Sequence, residues 1–280
     1  MKTMLRTLLT IAFLAFGVPG HSAEPVAFVT NLKGDVSVNG GSRPLLMSEL
    51  ARGQKLSVGQ EATLSVMYIQ SGKEYVLRGP GDFAVGDREI TSGSGTQPAA
   101  RETAWRPNSD VLVKVAQTQS ASIRMRSAAP PRPAVPAKLE FPVRGSVSTL
   151  QPVLRWAAVE GKAPSDIAIA ISGAEDKPIL KAKAQGNTFK VPSRLKPDTE
   201  YVWSVSVAGA ELGKATFRTL PAASLEKADK RRPTDKAEFS DRLLYALLLQ
   251  ELGASQEAAE IWGRLAQERG DLPELAALAK

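Results

Sequence analysis

The stretch ATLSVMYIQSGKEYVLRG, residues 62–79, decides the class of the fold. Apolar and polar side chains alternate through Ala62–Tyr68 and again through Glu74–Arg78, the period of two that turns one face of a β-strand to a core. Gly72, between the two runs, supplies the positive φ that a tight turn requires. The stretch therefore predicts two β-strands joined by a turn, and the sequence around it extends the pattern.

Further short alternating runs, separated by glycines, lie between residue 26 and about residue 126. They are Val26–Thr30, Asp35–Asn39, Gln54–Val58 and Phe83–Val85. Strands of about five residues at such spacing indicate a small sandwich, barrel or coil of β-strands. Asp110–Val115 fits either a strand or a short helix.

The same residues resemble a known family. Phe28-Val29-Thr30 followed by Gly34–Val38 resembles the opening strand pair of FecR-type periplasmic domains, and LARGQKL at 50–56 is similar to their L-x-x-G-x-x-L turn. The resemblance covers residues 24–126 as a domain and includes no catalytic residue. FecR-type anti-sigma regulators carry a cytoplasmic segment and a membrane span ahead of this module. We expect neither here, so the resemblance implies a soluble exported module rather than direct anti-sigma signalling.

Residues 139–220 predict a second all-β domain. The candidate strands are Val153–Ala157, Ile167–Ser172, Ile179–Ala184, Thr188–Val191, Tyr201–Val207 and Ala215–Arg218. The fold class expected from both segments is mainly β, with two small all-β modules followed by a helical hairpin.

The segment LKPDTEYVW, residues 195–203, resembles the L-x-P-x-T-x-Y signature of fibronectin type III domains. The resemblance implies an Ig-like sandwich in which a proline turn enters a strand and the tyrosine hydroxyl bonds back to the main chain. The implied signature residues are Trp156, Leu195, Pro197, Thr199 and Tyr201. We expect the aromatic members to be core residues, with ligand stacking as the alternative.

Residues 237–280 predict helices. Leucines 243, 244, 247, 248 and 252 recur at spacings of three and four, Ser240 is a candidate N-cap, and Gly253 ends the first helix. The segment resembles one tetratricopeptide helix pair, and such arrays need about three repeats to be stable. The hairpin therefore packs on the β domains or on a second copy, or offers an apolar face to a partner. The candidate partner-binding residues are Leu244, Tyr245, Leu248, Trp262 and Leu265.

Two linkers separate these parts. Residues 127–138 are proline-rich and predict a semi-rigid spacer, with a docking segment for a proline-binding module as the alternative. Residues 221–236 are charged and predict a solvated tether. Its cluster Lys230-Arg231-Arg232 leaves open a contact with an anionic surface.

Residues 1–23 predict a cleaved signal peptide. Basic Met1–Arg6 precedes a short apolar run, Thr7–Val18, which is too short for a membrane span of about 20 residues. We expect cleavage between Ala23 and Glu24, and a periplasmic location. The net charge of +7 falls slightly when the signal is removed, which favours no particular partner.

The composition excludes most catalytic chemistry. The chain has no cysteine and one histidine, His21, which lies in the signal peptide. Disulfides, thiolate metal sites, cysteine nucleophiles and Ser-His-Asp catalysis are therefore excluded from the mature chain. No phosphate or dinucleotide fingerprint and no basic face with interleaved aromatics occurs, so we expect no cofactor, no metal and no nucleic-acid partner. The turn acids, Asp35, Asp82, Asp87, Asp176 and Asp198, show no spacing that marks a catalytic pair.

These observations predict a soluble, exported, non-enzymatic binding or scaffold protein of the bacterial envelope, in sensing or assembly, whose hairpin takes a protein partner. The alternative is a cell-wall glycan-binding protein, which requires exposed aromatic residues on a β face. A carboxylate-dependent hydrolase is the third hypothesis. The sequence leaves the partner and the oligomeric state open.

Overall fold

The computed structural model describes residues 24–103, 139–157, 167–173, 177–207, 209–234 and 236–279. The chain is mainly β, with several sheets and a short C-terminal helical region, and this confirms the predicted fold class. The predicted signal peptide, the proline-rich linker and the segment 110–115 lie outside the described residues.

The first β unit contains two antiparallel sheets, ordered β3-β1-β5-β6-β9 and β2-β4-β7-β8. In the hairpin predicted from residues 62–79, Leu64 lies opposite Leu77 and Val66 opposite Tyr75. The strands are β1 Pro25–Lys33, β2 Val36–Val38, β3 Glu49–Ala51, β4 Lys55–Val58, β5 Thr63–Tyr68, β6 Lys73–Arg78, β7 Gly81–Val85, β8 Ile90–Ser94 and β9 Ala100–Glu102.

Gly79, at the end of the deciding stretch, is fixed by a close backbone approach. A Cβ added there would lie 1.8 Å from the Gly59 carbonyl oxygen and 2.6 Å from that of Val58. No side chain fits at this point, because the obstructing atoms belong to the backbone. Glycine is therefore required directly after β6, where the backbone at the end of β4 approaches closely.

The second β unit also has two sheets, ordered β10-β12-β15 and β11-β17-β16-β13-β14. Trp156 and Trp203 are fully buried between them, with ring centroids 6.5 Å apart. The strands are β10 Leu139–Phe141, β11 Ser146–Val147, β12 Val153–Trp156, β13 Ile167–Ser172, β14 Pro178–Ala184, β15 Thr188–Lys190, β16 Glu200–Val207 and β17 Ala210–Thr219.

The turn before β16 has the hydrogen bonds of a tyrosine corner. The Lys196 amide donates to the Tyr201 hydroxyl at 2.8 Å, and the Thr199 hydroxyl donates to the Pro197 carbonyl at 2.8 Å. Leu195 is buried beneath the turn. The turn fixes where β16 enters the sheet.

The described residues after β17 form four helices: α1 Ala222–Arg231, α2 Phe239–Glu251, α3 Ser255–Glu268 and α4 Pro273–Leu278. Helix α1 corrects the prediction of a solvated tether over residues 221–236. Its Leu225 and Ala228 are buried, one turn apart, and Glu226 pairs with Lys230 at 2.7 Å. The sequence did not predict this helix because most of its residues are charged and only a narrow apolar stripe is buried. The spacing of four between Glu226 and Lys230 was the available helix signal.

The helices share one hydrophobic core with the first β unit, whereas the second β unit has a core of its own. Gly253, with φ of +84°, closes α2 as predicted. Ser240 does not cap α2, because the helix already begins at Phe239 and the Ser240 hydroxyl is buried in a polar cluster. Within the described part of the chain, no helix combines the length and the apolar character needed to cross a bilayer.

Candidate functional site: the junction cleft

A buried polar cluster fixes the helices to the first β unit. Glu74 of β6 is 1% exposed and accepts hydrogen bonds from the hydroxyls of Thr30 at 2.6 Å and Ser240 at 3.1 Å. Arg101 of β9 pairs with Glu74 and donates to Asp241 of α2 at 2.8 Å. Burial alone would lower the pKa of Arg101. The hydrogen bonds from Arg101 to Asp241 and Glu74 outweigh this effect, so the pKa of Arg101 is raised overall. Each buried charge is therefore matched, as burial requires.

A second anchor lies at the C-terminal end of α3. Arg269 donates to the Asn31 side chain and to the Leu32 carbonyl of β1, and its guanidinium lies 5.3 Å from the centre of the Phe239 ring. Glu274 of α4 accepts the Leu46 amide at 3.0 Å. The helices are thus bonded to the first β unit at both ends.

Helix α3 also binds the second β unit, through polar contacts near its start. Gln256 accepts the Val143 amide at 3.0 Å, and Glu257 accepts the Ser148 amide at 3.0 Å. One turn further, Glu260 forms an ion pair with Arg155 of β12. The helical segment therefore connects the two β units.

A cleft of about 500 Å³ lies where these parts meet. The outer face of β12 forms one wall with Val153 and Arg155, which are two residues apart and so share a face. Helices α2 and α3 form the other walls with residues spaced by three and four, and the loop after α1 forms the lip. The helical and lip residues are Arg242, Tyr245, Leu249, Glu257, Glu260, Ile261, Arg264, Leu265, Arg232, Pro233 and Thr234.

Four arginines line the cleft, and three of them have acidic partners. Arg155 pairs with Glu260, Arg232 with Asp229 at 3.1 Å, and Arg242 with Glu268 at 2.6 Å. Arg264 is exposed, and its guanidinium has no ion pair or hydrogen bond with any other described residue. The cleft therefore presents one arginine whose charge is unmatched by the described chain.

Two buried donors in the cleft have no acceptor among the described residues: the Tyr245 hydroxyl and Nε of Arg242. A buried unsatisfied polar group costs about 1–3 kcal/mol. Burial raises the pKa of Tyr245, and the charge of Arg232 and the neighbouring Ser148 offset part of that rise. The Ser148 hydroxyl lies close to Tyr245 but outside hydrogen-bond geometry. Both residues line the cleft, and both donor atoms are shielded from solvent.

Glu257, at the back of the cleft, is a carboxylate in a poorly solvated position. Burial raises its pKa, while hydrogen bonds from Ser148 and the charge of Arg232 lower it by less. Its Oε2 already accepts the Ser148 amide. This carboxylate holds the helices to the second β unit.

The five predicted partner-binding residues are buried inside the chain: Leu244, Tyr245, Leu248, Trp262 and Leu265 are all between 0% and 4% exposed. The hairpin does not expose these residues to a partner in the described structure, because its apolar face packs into the core of the first β unit. The alternative outcome, packing on the β domains, is the one observed. Tyr245 and Leu265 nevertheless line the junction cleft.

The sequence did not identify the arginines of the cleft. Arg155, Arg242 and Arg264 lie on a strand and two helices far apart in the chain, and only the docking of α2 and α3 brings them together. The one local signal was the spacing of Glu257, Glu260 and Arg264, which places them on one face of α3.

Two of the turn acids meet elsewhere. Asp35 and Asp82 line a shallow depression of about 480 Å³ together with Ser57 and Ser94. The Asp82 carboxylate accepts both serine hydroxyls, at 2.8 and 3.2 Å. Asp87 and Asp198 pair with Arg52 and Arg218, and Asp176 lies outside the described residues. Across the described ranges, no group of three or more acidic or histidine side chains is placed to hold a metal ion.

Comparison with known proteins identifies no family for this chain. No family model and no curated protein matches it. Among solved structures, the chain is similar to CopC from Methylosinus trichosporium OB3b, with 21% identity over 30% of this chain and 93% of that one. The TM-score is 0.22, so this likeness supports no conclusion about fold or function.

Proposed function

We propose that this chain is an exported, non-enzymatic binding or scaffold protein of the bacterial envelope, and that its partner binds at the junction cleft. The observation that carries the proposal is the cleft itself, bounded by the second β unit on one side and by the helices on the other. Ligand sites occur preferentially where domains meet. Export and a periplasmic location rest on the signal peptide predicted at residues 1–23.

The contacts of the cleft carboxylates support binding over hydrolysis. Glu257 accepts a backbone amide, and Glu260 is paired with Arg155. A general acid or base must instead reach the proton that it transfers. In the depression around Asp35, the Asp82 carboxylate is likewise occupied by two serine hydroxyls.

Glycan binding is the alternative, and the exposed side chains count against it. Sugar recognition on a β face uses exposed aromatic rings. The exposed large hydrophobic residues of the described chain are Leu45, Val153 and Ile179, none of them aromatic. Val153 is 39% exposed and lines the junction cleft, where it suits an apolar group of a protein partner.

Site-specific photocrosslinking of the full chain in its own bacterium tests the proposal. A photoreactive amino acid at Val153 is expected to give one dominant protein adduct. Ile179 is the matched control, because it is an exposed apolar strand residue of the same β unit, at 53% exposure, that does not line the cleft. Equal adducts at both positions, or none at Val153, would contradict the proposal.

A second measurement separates the alternatives. Isolated cell-wall sacculi are mixed with the mature chain and sedimented at low and moderate salt. The protein is expected to remain in the supernatant at moderate salt, since the charge of the cleft is screened there. Salt-resistant sedimentation would instead favour the glycan-binding function.

A further inference from the structure

We propose that the junction cleft binds the carboxylate of an acidic peptide segment, seated between Arg264 and Tyr245. This inference rests on the proposed function and names the chemistry of the partner. Its basis is the distribution of charge, unpaired donors and apolar surface around the cleft.

The charge balance favours a single carboxylate. Arg155, Arg232 and Arg242 are matched by acids of the chain, and Arg264 is not matched by any described residue. Glu257 and Glu260 line the same cleft and would repel a ligand with many negative charges. An isolated carboxylate complements the one open arginine, whereas an anionic cell-wall polymer does not.

The unpaired donors point to the same ligand. The Tyr245 hydroxyl and Arg242 Nε are buried without acceptors among the described residues, and both residues line the cleft. A carboxylate has two oxygens that only accept, and it can satisfy a hydroxyl and an arginine together. Such a ligand removes the cost of leaving these donors unpaired.

The apolar wall distinguishes a peptide from a free oxyanion. Val153 and Ile261 line the cleft beside the charged groups. A peptide can bury an apolar neighbour against them while its acidic side chain reaches Arg264. Inorganic phosphate would leave this wall in water.

The test measures binding of the acetylated, amidated peptide Leu-Glu-Leu to the full mature chain, by chemical-shift titration with ¹⁵N-labelled protein. The same titration with Leu-Gln-Leu is expected to give affinity about tenfold weaker, because a hydrogen bond to a charged group is lost. Shifts should concentrate at residues of the cleft, such as Val153 and Arg264. Equal affinity for the two peptides, or shifts elsewhere, would overturn the inference.

Two variants locate the contact. Arg264→Gln is expected to weaken Leu-Glu-Leu about tenfold and to leave Leu-Gln-Leu unchanged. Arg88→Gln is the matched control, because Arg88 is also an exposed arginine without a partner among the described residues and does not line the cleft. Equal losses for both variants would reduce the interaction to net charge and overturn the inference.

Inorganic phosphate is the third probe. If phosphate binds at Arg264 with the same affinity as Leu-Glu-Leu, the cleft is a site for a free oxyanion, and the inference of a peptide ligand is overturned. A dominant crosslink at Val153 without any preference for glutamate would leave the proposed function standing and remove only this inference. Absence of both would remove both.

Discussion

The helical segment meets the two β units through interfaces of different kinds. Against the first β unit, the buried leucines of α2 join a common hydrophobic core, and Glu74 is enclosed by hydroxyls and an arginine. Against the second, the contacts include hydrogen bonds and an ion pair around Gln256, Glu257 and Glu260. The apolar packing that joins the second β unit to the helical core includes Leu150 and Leu220. The first interface resembles the interior of a domain, and the second resembles an interface between domains.

This difference explains where a ligand site can form. A close-packed core excludes water and leaves no cavity for a ligand. The apolar face of the hairpin is therefore buried in the folded chain and is not available for binding. The polar interface covers the second β unit only in part and leaves the junction cleft open to solvent. The residues available for binding are therefore charged, although the sequence pattern emphasised the leucines.

The largest expected effect comes from breaking the buried cluster. Glu74→Ala removes the acceptor of Thr30, Ser240 and Arg101 and should lower the free energy of unfolding by about 3 kcal/mol, measured by urea denaturation. Glu102→Ala is the control, because the Glu102 side chain is 72% exposed and its ion pair with Lys73 is long, at 4.0 Å. This substitution should lower the free energy of unfolding by less than about 0.5 kcal/mol. A loss below about 1 kcal/mol for Glu74→Ala would show that the cluster does not hold the helices.

Breaking the ion pair at the second interface should lower the free energy of unfolding by less than Glu74→Ala does. Arg155→Ala removes the ion pair with Glu260 and a guanidinium that lies 4.7 Å from the centre of the Phe141 ring. Both side chains of the pair are slightly more than a third exposed, at 34% and 39%, so solvent weakens their attraction. We expect a loss of about 1 kcal/mol. A double-mutant cycle with Glu260→Ala measures the coupling energy of the ion pair itself. A coupling energy as large as the loss for Glu74→Ala would contradict the difference between the two interfaces.

The raised pKa of Glu257 makes stability depend on pH at the second interface. Burial favours its protonated form in the folded state, so the folded state binds this proton more tightly than the unfolded state does. The stabilisation is fully present below the unfolded pKa and is lost as pH rises through the folded pKa. Glu257→Gln should therefore gain free energy of unfolding relative to the natural chain as pH rises from about 4 to 7. Urea denaturation at several pH values checks this, and a difference that shrinks with rising pH would contradict it.

The smallest loss is expected at Tyr245. Its hydroxyl is buried and has no acceptor among the described residues, so Tyr245→Phe should not lower the free energy of unfolding and should raise it by about 1 kcal/mol. Tyr201→Phe is the comparison, because the Tyr201 hydroxyl accepts the Lys196 amide and its loss should cost about 1 kcal/mol. Equal losses would mean that Tyr245 is already hydrogen-bonded in the folded chain.

The alternating strands could be predicted because their signal is local. Ile167–Ser172 begins and ends where the pattern placed it, and the strand pair around Gly72 forms as expected. Short strands such as β3 and β9 escaped detection because three residues carry no measurable period. Helix α1 was missed because most of its surface is charged.

The candidate site could not be predicted from local patterns. Arg155 and Arg264 come together only through the docking of α3 on the second β unit, which depends on contacts such as Gln256 with Val143. The leucine pattern of α2 correctly indicated a helix. It could not show which surface covers that helix, since a core and a binding face have the same composition.

Hydrogen exchange of the full mature chain in increasing urea tests the central claim most directly. The claim is that α2 and α3 fold as part of the first β unit, whose core they share, and that mainly polar contacts join them to the second. We expect the slowest amides of α2, α3, β1 and β5 to share one opening free energy, with a different value for β13 and β16. Helices that open well before β1 and β5, or together with β13 and β16, would contradict the account.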